Sequence, residues 1–237
     1  MMIDRMAPTL RPTRKPRGFQ QWRSLLFLHW PVPIASLRPL VPPALELDLY
    51  DGTAYVGIVP FAMHGVRSRW WPASFAFNFL ETNVRTYVHY KGRPGVYFFS
   101  LDAASGLAVW AAKRFWGLPY HRAEMSMKQD GNETIYQTVR HRSEARLAVR
   151  YRVGKPLGAF RPDTLDFFFL ERYLLFLQRR SRICVGQVHH TPYPAHQVDL
   201  LDIAQSLVSA NGLPACQGPP AFAHFAPGVD VEIYGLE

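Results

Sequence analysis

The chain has 237 residues, 48% hydrophobic, 14% aromatic and 19% charged, which excludes the disordered class and is enough for one large domain with a real core. Its 27 Lys and Arg against 18 Asp and Glu give a formal net charge of +9, carried by 22 Arg and only 5 Lys. Four of those nine charges fall in residues 1–17, where Arg5, Arg11, Arg14, Lys15 and Arg17 face Asp4 alone, and the rest are scattered singly, so a phosphate-tracking stripe and nucleic-acid binding are not expected.

Residues 1–18, with Pro8, Pro12, Pro16 and Gly18 among the basic groups, are expected to form a flexible basic tail, and 19–237 a single domain. Ser24 to Trp30 is an apolar run short enough for a buried strand, and Ile34 to Leu40 a helical turn stopped by Pro42 and Pro43. Asp51-Gly52 predicts a hairpin between Leu45–Tyr50 and Thr53–Met63. In Phe75–Tyr90 the second half alternates, with Asn83, Arg85, Tyr87 and His89 on one face, and one face is expected to line a cavity. Gly92 to Gly95 turns the chain into a strand over Val96–Leu101, and the alanine-rich stretch over about 103–116 predicts a helix stopped by Gly117. Asp130-Gly131 joins strands Tyr120–Lys128 and Thr134–Arg142, followed by a strand over Ala145–Val153. A helix is expected over 164–179, a strand over Arg182–His190, a helix over about 200–210 ending at Gly212, and a last extended piece over Phe222–Tyr234. Many antiparallel hairpins with two or three helices point to an α+β fold, mainly an antiparallel β-barrel.

Cys184 and Cys216 cannot build a disulfide framework and sit in no paired zinc motif, which fits a reducing cytoplasm. No apolar signal region follows the N-terminal arginines, and Glu171 and Arg172 interrupt the longest apolar stretches, so no membrane span is expected. Phosphate loops, nucleophile elbows and paired metal-ligand histidines are missing, and neither metal nor cofactor is expected. His189 and His190 would point to opposite faces of a strand and read as structural. Three polar groups inside apolar runs need partners or a cavity: His29, Glu81 and Arg172. Glu81 could pair with Arg85 or Arg172 as internal scaffold, or these charges could converge on an enclosed site.

Five ordered blocks resemble the YqjF-like family of uncharacterised proteins, grouped with the acetoacetate decarboxylase-like superfamily. They are FLHWPVPIASLRPLVPP (27–43), ETNVRTYVHYKGRPGVYFFSLDA (81–103), AAKRFWGLPYHRAEM (111–125), LERYLLF (170–176) and VHHTPYP (188–194). The resemblance covers most of 19–195 and implies a cone-like β-barrel around a closed cavity. It also implies that Glu81 matches an acidic residue of the decarboxylase pocket. The decarboxylase forms a Schiff base on a lysine after a proline, with a second lysine beside it; here Gly117, Leu118, Pro119, Tyr120, His121 and Arg122 put Tyr120 and His121 at those two positions. A phenol cannot form an imine.

The leading expectation is therefore an internal site for a small anionic or carbonyl-bearing molecule, without Schiff-base catalysis. Glu81, Asn83, Arg85, Tyr120, His121 and Arg172 are its candidate residues, with His29 and His190 beside them. Arg85 or Arg172 would hold a carboxylate, and Tyr120 with His121 would donate or exchange a proton. The rivals are an enzyme using Tyr120 or His121 as general acid, and a packed structural barrel with an internal Glu81–Arg pair. Assembly into a homo-oligomer is left open.

Overall fold

The computed structural model describes residues 3–106 and 117–237. The strands among the described residues are β1 (Gly18–Val32), β2 (Glu46–Leu47), β3 (Ala54–Ser68), β4 (Phe77–Tyr90), β5 (Arg93–Ala103), β6 (Tyr120–Asp130), β7 (Glu133–Arg140), β8 (Arg146–Pro156), β9 (Leu174–Arg179), β10 (Arg182–His189), β11 (His196–Gln205) and β12 (Phe222–Leu236). They form one sheet in the order β10-β9-β5-β6-β7-β8-β11-β12-β1-β3-β4-β2. Further pairings of β10 with β12 and of β4 with β5 make the hydrogen-bonded ladder return on itself. Pairing is antiparallel except where β5 meets β6 and β9.

The turn residues reverse the chain where expected, but the hairpin expected between Leu45–Tyr50 and Thr53–Met63 is not formed: only Tyr50 and Thr53 bridge across Asp51-Gly52, and β2 pairs with β4 rather than β3. Asp51 and Gly52 have φ of 46° and 74°, and Lys91 and Gly92 have 52° and 75°, the primed geometry whose twist matches the flanking strands. Apolar residues of β1, β3 and β4 alternate between two packing layers. Leu26, Leu28, Ile58 and Val84 pack on one side of the sheet, and Leu25, Phe27, Val59 and Phe61 on the other.

Two expected helices are corrected. The helix beginning at Leu165 is capped by Thr164 Oγ1, which accepts from the Phe167 N–H, but it ends at Leu170, and the chain re-enters the sheet as β9. The switch falls at Glu171 and Arg172, whose side chains take distant partners: Glu171 accepts from the Tyr193 N–H, and Arg172 reaches Asp48 as well as the Phe168 carbonyl. The second, over 200–210, is strand β11 followed by a single turn at Ser209–Asn211. A register shift between Leu200 and Asp202 sets two adjacent leucines on an otherwise alternating strand, which imitates helical spacing. Of the helix expected over 103–116, residues 107–116 lie outside the described residues, and Ala103 ends β5.

The N-terminal segment lies against the body rather than free of it. Arg5 donates to both carboxylate oxygens of the buried Asp48 at 2.5 and 2.7 Å, and Arg172 donates to the same group at 2.6 Å. Pro8 is buried, Arg11 pairs with Glu232, Arg14 with Glu237, and the Arg17 N–H extends the β1–β12 ladder to Ile233. Burial alone would raise the Asp48 pKa, but the hydrogen bond from Arg5 and the charge of Arg172 outweigh it and hold it below the usual range. Deleting residues 1–17 is therefore expected to lower the thermal midpoint by several degrees, since about 1 kcal/mol corresponds to about 2–4 °C in a chain of this size. Arg5→Ala should reproduce much of that loss, and an unchanged midpoint in both variants would return the segment to the status of a dispensable tail.

Candidate functional site

A cavity of about 650 Å³ lies between β1, β3, β4 and β5, with walls that are largely apolar. Strand alternation builds the wall on β4, where Phe77, Phe79, Glu81, Asn83 and Arg85 line it at every second position. On β1 alternation alone would fail, because Trp22 and Leu25 are three apart yet both face the cavity. Ser24 resolves this as a bulge: its φ is 52°, and the β1–β3 register shifts by one residue between Arg23 and Leu28. A register shift between Met63 and Val66, with Gly65 at φ 61°, does the same for β3.

Glu81 is 2% exposed and accepts a hydrogen bond from the Tyr120 hydroxyl at 2.7 Å. Burial pushes its pKa up to about 8; the Tyr120 bond opposes this, the nearby Asp102 charge adds to it, and an Asn83 hydrogen bond opposes it. Near neutral pH this carboxyl is mostly protonated, so it can donate as well as accept. Burial and the neighbouring Glu81 push the Tyr120 phenol well above its ordinary value, which keeps it an O–H donor.

Arg85, four residues on along β4, is also buried at 8% exposure, with Nη2 donating to the Phe169 carbonyl at 3.1 Å and its guanidinium over the Phe27 and Tyr87 rings at 5.5 and 5.7 Å. Its Nε has no partner, and no carboxylate among the described residues lies within ion-pair distance of it. The expected Glu81–arginine pair is not formed: Glu81 bonds Tyr120, and Arg172 is neutralised by Asp48 and bonds the Phe168 carbonyl at 2.6 Å. Arg172 does line the cavity, and its Nη2 is buried without a partner.

The structure thus brings together Glu81, Asn83, Arg85, Tyr120 and Arg172, and leaves three candidates outside the cavity wall. His121 follows Tyr120 on β6 and by alternation faces the other way, half-buried. His29 is fully buried, its Nε2 2.6 Å from the Tyr87 hydroxyl and its ring stacked on Phe169 at 3.9 Å. Burial and then the Arg85 charge hold it well below its ordinary pKa. His190 stacks on Tyr173 at 4.5 Å, its Nδ1 2.7 Å from the Thr191 carbonyl, and burial lowers its pKa to about 4. Sequence reasoning missed Trp22, Tyr173 and Tyr193 of the wall; only the aromatic TPYP stretch hinted at Tyr193. No group of three metal-ligating side chains occurs among the described residues.

A family model described as "Uncharacterized conserved protein (COG2071)", DUF2071, matches residues 19–230, and the chain belongs to that family. The "Uncharacterized protein YqjF" of Bacillus subtilis (strain 168) is 38% identical over 220 residues, covering 92% of this chain and 90% of that one. Three solved structures share the fold. An enduracididine biosynthesis enzyme, MppR, complexed with pyruvate has a TM-score of 0.66 at 12% identity, covering 95% of this chain and 91% of its own. An acetoacetate decarboxylase-like enzyme from Sphingomonas wittichii RW1 has 0.64 at 12% identity, covering 96% and 95%. Acetoacetate decarboxylase from Legionella pneumophila has 0.62 at 13% identity, covering 98% and 92%.

A carboxyl whose folded pKa lies above its unfolded value binds more protons folded than unfolded between the two. Stability from Glu81 should therefore be full below about pH 4.5 and fall as pH rises toward about 8, where the buried group ionises. Glu81→Gln is expected to remove about one proton from the pH dependence of unfolding in that window and to be relatively more stable than wild type at pH 8. Urea unfolding at closely spaced pH values checks this; parallel curves for the two proteins would show that Glu81 ionises normally.

Proposed function

We propose that this family member binds a small anionic or carbonyl-bearing organic molecule in the cavity, within a sheet closed as a barrel, in the cytoplasm. The observation that carries the reading is Arg85, a buried guanidinium facing an apolar space without a carboxylate to neutralise it. A charge left in such a place is costly, and an incoming carboxylate would accept two of its N–H groups and share its charge at short range. Asn83 Oδ1 and Arg172 Nη2, both buried without partners, supply further polar contacts beside it.

In this reading Glu81 and Tyr120 serve a carbonyl or hydroxyl oxygen of the ligand. A protonated Glu81 bonded by Tyr120 has an O–H to spare, and the same pair is the one observation that favours a catalytic reading, with Glu81 and Tyr120 as general acid and relay. That one of the structural relatives is complexed with pyruvate supports a carboxylate-bearing ligand here. The imine chemistry implied by the decarboxylase resemblance is not part of the proposal. Lys15, Lys91, Lys128 and Lys155 are exposed and line no part of the cavity, and an amine attacks only when unprotonated and desolvated.

Hexanoate is expected to raise the thermal midpoint of the wild type while 1-hexanol at equal concentration does so far less, and Arg85→Gln should abolish the difference. Equal responses to acid and alcohol in the wild type would remove Arg85 from the ligand. Incubation with acetoacetate and borohydride should leave the intact mass unchanged. A stoichiometric adduct, lost in Lys113→Arg, would restore an imine mechanism at that lysine.

A further inference from the structure

We infer that the ligand is an amphipathic carboxylate, its acid group at Arg85 and its apolar body running outward along β4 to an aromatic rim at Trp71. The inference rests on the reading of Arg85 above and adds the ligand's shape. The wall positions on β4 run from Arg85 to Phe77, eight residues or about 26 Å of strand at about 3.3 Å each. A volume of about 650 Å³ along that length is a channel, within the range of about 300–1,000 Å³ that encloses drug-sized ligands rather than a three- or four-carbon acid.

Polarity is graded along the channel. Along β4 the polar Arg85, Asn83 and Glu81, the last bonded by Tyr120, are all buried and occupy one end, while the more exposed Phe79, Phe77 and Trp71 close the other. Phe27, Leu25 and Trp22 of β1 repeat the apolar wall across the bulge at Ser24. Trp71 meets Phe77 edge to face at 6.0 Å while remaining 48% exposed, and the neighbouring Trp70 and Phe75 are 80% and 66% exposed. Exposed aromatics at a channel mouth are an apolar surface awaiting a partner, and the tail of a bound acid arriving there would cover part of it. Arg67, also at the mouth, lies over the Phe19 ring at 4.7 Å. With Arg17, which lines the same end, it offers a further cation only to a ligand charged at both ends.

Titration calorimetry of the full chain with butyrate, decanoate, octadecanoate and octadecanedioate at pH 7 tests this, with Trp71→Ala as the rim variant because Trp71 is 48% exposed. Affinity should rise about two- to four-fold per added methylene up to the rim, as burial of each CH₂ predicts. Trp71→Ala should weaken octadecanoate, which is long enough to reach the rim, several-fold and leave butyrate and decanoate, which are not, unchanged. Affinity independent of chain length, with all binding still lost in Arg85→Gln, would overturn the channel assignment and leave the carboxylate site standing. Octadecanedioate binding more tightly than octadecanoate would overturn the apolar assignment of the mouth. Failure of every acid to bind would remove both.

Discussion

The interior of this protein is organised by which buried charges are neutralised and which are not. Among the described residues three arginines are buried to 8% exposure or less: Arg85, Arg140 and Arg172. Arg140 holds Asp102 through two bonds of 2.7 and 2.9 Å and donates to Ser100. Arg172 shares Asp48 with Arg5. The two other buried carboxyls, Glu81 and Glu171, are pushed by burial toward their neutral forms and bond tyrosine hydroxyls. Among the described residues each buried carboxylate therefore already has its cation, and Arg85 is left with a carbonyl, the Tyr87 side chain and aromatic contacts but no anion. A buried ion pair is weak evidence of function, since it often serves the scaffold, but a buried cation without an anion points outward to something that would complete it.

The same accounting explains why the N-terminal segment matters to the site. Asp48 is shared, so losing Arg5 leaves one guanidinium to hold a fully buried carboxylate, and Arg172 is both that guanidinium and part of the cavity wall. Arg172 also lies over the Phe168 and Tyr87 rings at 4.2 and 5.0 Å, and Tyr87 in turn lies under Arg85. Residues 3–17 are thus mechanically continuous with the cavity floor although they are remote in sequence. The composition of the segment showed its charge; nothing in it showed that Asp48, forty-three residues on, was the partner.

Local turn chemistry and strand alternation were legible from the sequence, and what they place was legible with them. Asp130-Gly131 lies at a real hairpin, Asp51-Gly52 at a tight turn bridged only by Tyr50 and Thr53, and alternation puts Asn83 and Arg85 on one face. What escaped was every feature set by a bulge or by a distant partner. The doubled leucine at 200–201 read as helix because a bulge breaks the period, and Thr164–Arg179 read as one helix because the tertiary bonds of Glu171 and Arg172 that end it are invisible locally. His29 is polar among apolar neighbours, but its partners are the Phe169 ring and the Tyr87 hydroxyl behind the wall, and His190 of the VHHTPYP block likewise stacks on Tyr173. Glu81 and Arg172 are polar among apolar neighbours too and do face the cavity, so that criterion finds buried polar groups without telling core from site.

Arg85 and Glu81 also constrain one another in the proposed reading. Their strand positions are four residues apart on one face, about 13 Å of backbone, with Asn83 between them. Were Glu81 ionised, its charge would partly neutralise Arg85 across a low-dielectric space and compete with any anion arriving there. Burial that keeps Glu81 protonated near neutral pH removes that competitor and leaves Arg85 its full attraction for a ligand. By linkage the converse holds: an anion seated at Arg85 makes ionisation of Glu81 less favourable still, so the carboxyl stays a donor while the ligand is bound. The two groups then divide the work by protonation state, the guanidinium taking the charge and the neutral acid, steadied by Tyr120, meeting an uncharged oxygen farther along the channel.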